Sequence, residues 1–182
     1  MRKFLVSCLL AFTFLAHSQE VVLVAAYNNN YNGNSGIFGI TNNAVYEYSW
    51  YYAAWLQLPV NGLPVVGGDV KIDLISTFDN NSLNPSGVYV FADSAVFVYN
   101  YYAELWYPLS NEGLCRVGGK AQVTSLSAHL DSESDYVYVY AVSCGSVYYY
   151  RWYYNDWLAL SNDGIETKLD LPDGNLSDFS VF

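Results

Sequence analysis

Oxygen-bearing side chains recur in three loops of the sequence, where they could bind a cation. In the first loop Asn28, Asn30 and Asn32 alternate and Gly33 follows, which is the spacing of a calcium-binding loop. The third loop has three carboxylates and therefore the strongest oxygen ligands for Ca²⁺. The candidate ligands are Asn28, Asn30, Asn32, Asp79, Asn81, Asp131, Glu133 and Asp135. These residues are candidate ligands of Ca²⁺, and the alternative is that they are solvated turn residues without a bound ion.

Aromatic side chains cluster in three later segments, 50–52, 101–102 and 152–154. Flat aromatic faces beside Asn and Asp side chains suit a sugar ring, because stacking and directional hydrogen bonds act together. The predicted ligand-binding residues are Tyr51, Tyr52, Tyr102, Tyr153 and Tyr154. Trp50 and Trp152 are more typical of buried packing than of ligand binding.

The sequence holds few residues for acid–base or nucleophilic catalysis. His129 lies in an apolar run, where a buried aromatic position explains it better than a catalytic role. No nucleophile elbow, zinc-protease motif or phosphate-binding loop is present. We therefore expect a protein that is not an enzyme, and a hydrolase with a pair of carboxylates is the alternative.

Composition places the chain among folded proteins. Of its 182 residues, 53% are hydrophobic, 18% are aromatic and only 13% are charged. Disordered chains instead combine low hydrophobicity with high charge. The formal net charge is −10, so we expect no binding to nucleic acid or to anionic lipid.

Residues 1–18 have the pattern of a secretory signal peptide. Arg2 and Lys3 precede an apolar run from 4 to 16, and the small residues Ala16 and Ser18 suit cleavage before Gln19. The run is too short to span a bilayer as a helix, and no later run is long or apolar enough. We expect a secreted chain without membrane insertion, and an uncleaved interfacial anchor is the alternative.

Export would leave two cysteines and two asparagines open to modification. Once Cys8 is removed with the signal peptide, Cys115 and Cys144 remain, and such a pair usually forms a disulfide in an oxidising compartment. Free thiols, or a bond between chains, are the alternatives. In a eukaryotic host the N-x-S sequons would place glycans on Asn80 and Asn175.

The elements that position these residues repeat with a period of 51 residues. Trp55, Trp106 and Trp157 obey this spacing, and we predict that they form the core of each repeat. The period also relates Leu58, Leu109 and Leu160, then Gly62, Gly113 and Gly164, and then Tyr48, Tyr99 and Tyr150. So many coincidences in one register are not expected by chance.

Each repeat is predicted to form four short strands, because aromatic and β-branched residues alternate between turn residues. In the second repeat these strands are 70–78, 87–92, 95–100 and 105–109. The fold prediction is all-β, with propeller-type blades over 21–67, 70–117 and 121–167 and a partial strand at 175–182. A β-sandwich is the alternative. Three blades are too few for a closed ring, so we expect either assembly with further copies or a fragment of a longer protein.

Several segments resemble the FG-GAP repeat of integrin-α-like β-propellers. In 24–36 an apolar strand runs into an Asn-rich loop and then a Gly-aromatic strand, and 77–81 followed by 86–91 does the same. The sequence departs from that family where Gly67-Gly68 and Gly118-Gly119 replace the usual Phe-Gly. The resemblance implies extracellular recognition, sometimes with structural Ca²⁺. Kelch-like repeats share the W-x-x-L segments and are the second choice.

These observations favour a secreted protein that binds a glycan or an extracellular protein. A Tyr-rich structural or adhesive matrix protein is the alternative from a different class, because runs such as 148–150 are all tyrosine. The carboxylate hydrolase named above is the third hypothesis.

Overall fold

A computed structural model describes residues 20–29, 34–41, 43–78, 87–131, 133–134 and 136–163. These residues form antiparallel strands joined by turns and contain no helix. The all-β prediction is therefore confirmed. In the part of the chain that is described, no helix is long and apolar enough to cross a membrane.

Sixteen strands lie in these ranges. The first sheet contains β1 (Leu23–Asn29), β2 (Asn34–Ile40), β3 (Val45–Ser49) and β4 (Ala54–Gln57), and β5 (Val65–Val66) and β6 (Asp69–Val70) form a hairpin after it. The second sheet contains β7 (Ile72–Thr77), β8 (Val88–Ala92), β9 (Ala95–Asn100) and β10 (Leu105–Pro108), followed by the hairpin of β11 (Arg116–Val117) and β12 (Lys120–Ala121). The third sheet contains β13 (Val123–Asp131), β14 (Tyr136–Ser143), β15 (Ser146–Arg151) and β16 (Asp156–Ala159).

Each four-stranded sheet is a meander in which every strand pairs with the next one along the chain. Within the described residues none of the sheets closes on itself. The strands of the second repeat agree with the prediction to within one or two residues, except that Val70 belongs to the β5–β6 hairpin. Both hairpins turn on a Gly-Gly pair with positive φ, which is 66° at Gly67 and 96° at Gly68. This is a recognised hairpin pattern that the repeat analysis missed.

Successive sheets pack against each other through their first strands. β1 contacts β7, and β7 contacts β13. The Thr77 hydroxyl donates to the Ala26 carbonyl at 2.8 Å, and the Ala128 amide donates to the Ser76 hydroxyl at 2.9 Å. The second sheet therefore has a neighbour on both sides. As a result β8 is buried at every position and not only at alternate ones.

Two hydrophobic cores lie between the sheets, and the second is the first shifted by 51 residues. The first core includes Tyr27, Leu58, Ile72, Tyr99 and Trp106. The second core contains their counterparts Phe78, Leu109, Val123, Tyr150 and Trp157. Trp106 and Trp157 are 1% and 2% exposed, as predicted for core residues. The repeat is thus a unit of packing between sheets as well as a unit of sequence.

Trp55 and His129, both predicted to be buried, are exposed because each lies at an outer side of the stack. Trp55 is 41% exposed, since no described sheet precedes the first one. His129 is exposed, since no described sheet follows the third. Their counterparts Trp106 and Phe78 are buried because a neighbouring sheet covers them.

A disulfide joins the second repeat to the third sheet. The Sγ atoms of Cys115 and Cys144 are 2.05 Å apart, which confirms the predicted pairing. Cys115 lies just before β11, and Cys144 lies in the turn between β14 and β15. The predicted signal peptide 1–18 and the predicted strand 175–182 lie outside the described residues.

Candidate functional site

The aromatic segments form the turn between the third and fourth strand of each sheet. The last residue of each turn, Ala53, Glu104 or Asn155, has a left-handed backbone with φ of 49°, 51° and 54°. In the second sheet the Asn100 side chain holds the turn, because its Oδ1 accepts the amide protons of Tyr102 at 2.9 Å and of Ala103 at 3.0 Å. The same backbone shape therefore presents an aromatic residue three times.

Tyr51, Tyr102 and Tyr153 point into solvent from these turns. Their exposed fractions are 88%, 89% and 91%. Tyr52 and Tyr154 are also exposed, and each packs edge-on against the preceding tyrosine. The Arg151 guanidinium lies 4.5 Å from the centre of the Tyr154 ring and makes a bidentate ion pair with Asp156. All five predicted ligand-binding tyrosines are thus accessible to a ligand.

Each turn begins with an aromatic residue that stacks on the sheet below it. Trp50 packs edge-on against Tyr48 at 4.9 Å, and Trp152 packs in the same way against Tyr150 at 5.0 Å. Trp50 is nevertheless 61% exposed, so the prediction that it is buried was wrong. Trp152 is less exposed, and its Nε1 donates to the Val137 carbonyl at 2.7 Å.

A cavity of about 420 Å³, here called the aromatic groove, lies between the second and third sheets. Its aromatic lining includes Phe78, Tyr89, Tyr102, Tyr107, Tyr136 and Trp152. The groove is thus lined by Tyr102, from the aromatic turn of the second sheet, and by Trp152, the first residue of the aromatic turn of the third sheet. Of the predicted ligand-binding tyrosines, only Tyr102 lines it.

An aromatic ring lying over a glycine forms part of the groove wall. A Cβ on Gly87 would lie 1.7 Å from the Phe78 ring, so no other residue fits there without movement. Tyr27 and Gly36 make the same pair in the first sheet, where the corresponding distance is 1.9 Å. In the third repeat the equivalent residues are His129 and Tyr138. The glycine thus lets the ring lie flat against the neighbouring strand.

The described side chains that line the aromatic groove carry no charge. Burial raises the pKa of the Tyr89 phenol, which therefore stays neutral at physiological pH. Tyrosine hydroxyls and the Asn100 amide supply the polar contacts, because the Trp152 indole already donates its proton to the Val137 carbonyl. Such a lining can stack on a flat ligand and form hydrogen bonds with it, but the described part offers no ion pair.

The corresponding place between the first and second sheets holds a carboxylate instead. Glu47 accepts a hydrogen bond from the Tyr27 hydroxyl at 3.2 Å, and its place in the period is taken by Val98 in the second sheet. Burial raises the pKa of Glu47, and hydrogen bonds from Tyr27 and Tyr101 oppose this shift. The two interfaces share a fold but differ in the polarity of their walls.

The predicted calcium ligands are only partly described. The Asp131 carboxylate accepts the Glu133 amide at 3.0 Å and the Ser134 hydroxyl at 2.6 Å, so both of its oxygens already stabilise the turn. These bonds lower the pKa of Asp131, the Ser134 hydroxyl contributing most. Among the described residues no group of three acidic, His or Cys side chains could hold a metal. Calcium binding stays a prediction.

Other predicted site residues lie beyond the described ranges or lack described side chains. Those outside are Asn30, Asn32, Asp79, Asn80, Asn81, Asp135 and Asn175. Asn28 lies on β1, but its side chain is not described. The predicted metal sites and glycosylation sites are therefore not evaluated by the structure.

Sequence reasoning missed most of the aromatic groove. Phe78, Tyr107 and Tyr136 come from three strands or strand ends that are far apart in the chain, so no local pattern joins them. The matching dipeptides Ser35-Gly36 and Ser86-Gly87 were a signal, because a repeated glycine after an aromatic strand indicates a close approach.

No protein-family model matches the chain, and no curated protein matches it in sequence.

Proposed function

We propose that this protein is a secreted recognition protein that binds an uncharged glycan in the aromatic groove. The observation that carries the proposal is the uncharged aromatic lining, with Tyr102 fully accessible on its rim. A pyranose ring presents an apolar face for stacking and hydroxyls for hydrogen bonds, and the groove offers partners for both. The groove volume of about 420 Å³ is in the range of small-molecule sites.

Net charge supports an uncharged ligand over an acidic one. The chain carries a formal charge of −10, which repels sulfated or uronic-acid glycans at low ionic strength. In addition, the described lining holds no cation that could pair with an acidic sugar. Neutral glycans are therefore the favoured ligand class.

We also propose that the three sheets are blades of a propeller-type assembly. Packing of each first strand against the next supports this arrangement, as does the core repeated between successive sheets. In a propeller the turns between third and fourth strands lie on one face, which would gather the aromatic turns there. The resemblance to FG-GAP repeats agrees with extracellular recognition on that face.

The decisive experiment pairs two tyrosines that occupy the same turn position but differ in their relation to the groove. Tyr51 and Tyr102 hold the same turn position and have nearly equal exposure, but only Tyr102 lines the groove. Neutral, sialylated and sulfated glycans would be screened, and the best binder titrated calorimetrically. We expect Tyr102→Ala to weaken binding roughly 3- to 10-fold, the effect of one aromatic contact, and Tyr51→Ala to leave it unchanged.

Three outcomes would contradict the proposal: no glycan binds although the protein is folded, both alanine variants lose the same affinity, or binding is confined to sulfated glycans. If only an extracellular protein binds, the aromatic turns would be assigned to protein recognition. Binding confined to sulfated glycans would contradict the argument from charge.

A structural, crosslinked protein is the second candidate, and tyrosine exposure favours it. Oxidative coupling of two phenols requires that both are accessible, and Tyr51, Tyr102 and Tyr153 are each about nine-tenths exposed. Acid hydrolysis of native material followed by mass spectrometry would detect dityrosine. Its absence from native material would exclude this candidate.

A further inference from the structure

The two interfaces between sheets use one repeated set of backbone and indole hydrogen bonds. The Trp106 indole donates to the Pro59 carbonyl at 2.8 Å, and the Trp157 indole donates to the Ser110 carbonyl at 2.7 Å. The Trp106 amide donates to the Asn61 carbonyl at 2.8 Å, and the Trp157 amide to the Glu112 carbonyl at 2.7 Å. Each interface thus joins a loop after one sheet to a tryptophan on the next.

Close approach makes a glycine necessary in these loops. A Cβ on Gly62 would lie 2.2 Å from the Trp106 carbonyl oxygen, and one on Gly113 would lie 1.9 Å from that of Trp157. Both glycines also have a left-handed backbone, with φ of 90° and 89°. The loop after the second sheet reads L-S-N-E-G over 109–113, and the loop after the third reads L-S-N-D-G over 160–164. The third loop therefore keeps the sequence that docking requires.

The third loop also has the conformation of the second as far as it is described. The Leu109 amide donates to the Val96 carbonyl and the Leu160 amide to the Val147 carbonyl, both at 2.8 Å. The Ser110 hydroxyl accepts the Glu112 amide at 3.1 Å, and the Ser161 hydroxyl accepts the Asp163 amide at 3.0 Å. Leu160 is 41% exposed, whereas Leu109 is 7% exposed. The loop after the third sheet therefore has its docking conformation. No described residue covers it, whereas the third sheet covers the loop after the second sheet.

The receiving half of the same interface is exposed on the first sheet. Trp55 packs against Tyr48 at 5.3 Å, as Trp106 packs against Tyr99 at 5.0 Å. Trp55 is 41% exposed and Val21, beside it, is 43% exposed, whereas Trp106 is 1% exposed. The two outer sides of the stack are therefore the two complementary halves of an interface that the chain builds twice internally.

We propose that the loop 160–163 of one copy docks on Trp55 of a second copy. The Ser161 carbonyl accepts the Trp55 indole proton, and the Asp163 carbonyl accepts the Trp55 amide proton, by analogy with the interior loops. The contact is head-to-tail, so it leads to a closed ring or to a filament. Two copies would bring six four-stranded sheets together, which is within the usual four to eight blades of a propeller. We therefore expect a closed dimer.

Each copy of the chain carries both halves of the interface, the loop after the third sheet and Trp55 on the first sheet. A second copy supplies both halves, and this inference does not depend on ligand binding.

The test uses one charged variant on each half of the interface. Light scattering over a range of concentrations should show a dimer for the parent protein. Trp55→Arg and Leu160→Arg should each be monomeric, with the dissociation constant raised roughly 30-fold or more, as for a buried interface tryptophan. An equimolar mixture of the two variants should form an open dimer, because one of its two contacts joins an intact loop to an intact Trp55. Val65→Arg, at a position 65% exposed in the β5–β6 hairpin, is the matched control.

Far-ultraviolet circular dichroism and a thermal melt would show that each variant is folded. A parent protein that is monomeric at all concentrations would overturn the proposal, as would folded variants whose mixture stays monomeric. A dimer that survives Trp55→Arg would indicate a different interface. A monomer in which acrylamide fails to quench Trp55 fluorescence would mean that another part of the chain covers it, and this too would overturn the proposal. The fluorescence of Trp55 would be identified as the part of the signal that is absent in Trp55→Phe.

Discussion

At the scale of single residues, ring-on-glycine pairs allow the first two strands of a sheet to carry a flat aromatic surface. Phe78 lies over Gly87 and Tyr27 lies over Gly36, and neither glycine leaves room for a Cβ. Gly87 and Phe78 also line the aromatic groove. A change of one methyl group at this position therefore affects both packing and the groove.

Gly87→Ala should destabilise the protein by about 1 to 3 kcal/mol, because the added methyl overpacks against the Phe78 ring. Chemical denaturation of the parent and the variant would measure the loss. In a double-mutant cycle, Phe78→Ala should remove most of the effect of Gly87→Ala, since the clash then has no partner. Additive losses in that cycle would show that the methyl group clashes with something else.

Glu47 should make stability fall as pH rises. Burial raises its pKa above 4.5 in the folded state, so the folded protein binds the proton more tightly than the unfolded chain does. The stabilisation is fully present below the unfolded pKa and is lost as pH rises through the folded pKa. Glu47→Gln should therefore melt higher than the parent at pH 7, with the gap shrinking toward pH 4. A gap that widens on acidification would contradict this assignment.

At the scale of elements, the hairpins and the disulfide fix how one repeat follows the next. The β11–β12 hairpin lies between the second and third sheets, and Cys115 is at its start. The Cys115 carbonyl also accepts the Ser143 hydroxyl at 3.3 Å, next to Cys144. The connection is therefore held to the β14–β15 turn by a covalent bond and by a hydrogen bond.

Loss of the disulfide should lower stability by about 3 kcal/mol, since the bond closes a loop between cysteines 29 positions apart. The variant Cys115→Ser with Cys144→Ser would be compared with the parent by denaturant titration. Reduction of the parent should reproduce the loss, and the reductant should have no effect on the double variant. A double variant as stable as the oxidised parent would show that packing alone orders the connection.

At the scale of the whole molecule, stability comes from interfaces between sheets. Each core combines side chains from two successive repeats, so no repeat buries its aromatic residues alone. The middle sheet is covered on both sides, and the outer sheets leave Trp55 and Leu160 exposed. Outer units of repeat proteins usually have polar outer sides, and this departure is the physical basis for the proposed dimer.

Prediction from the sequence succeeded where the controlling interaction is local or periodic. The strands β8, β9 and β10 follow from alternation between turn residues, and the burial of Trp106 and Trp157 follows from the period. The pairing of Cys115 with Cys144 followed from their number and the expected compartment. Exposure of Trp50 was missed because the alternation was extended past Ser49, where β3 ends, whereas Trp50 begins the turn.

The sequence by itself determined the all-β class, the strands and the 51-residue repeat, because side-chain alternation and turn chemistry act over a few residues. Tertiary structure decided which copies of a repeated residue are buried, since burial depends on whether another sheet lies outside. It also brought Phe78, Tyr102 and Trp152 to one groove. Distances between sheets arise from packing in three dimensions, which no pattern along the chain contains.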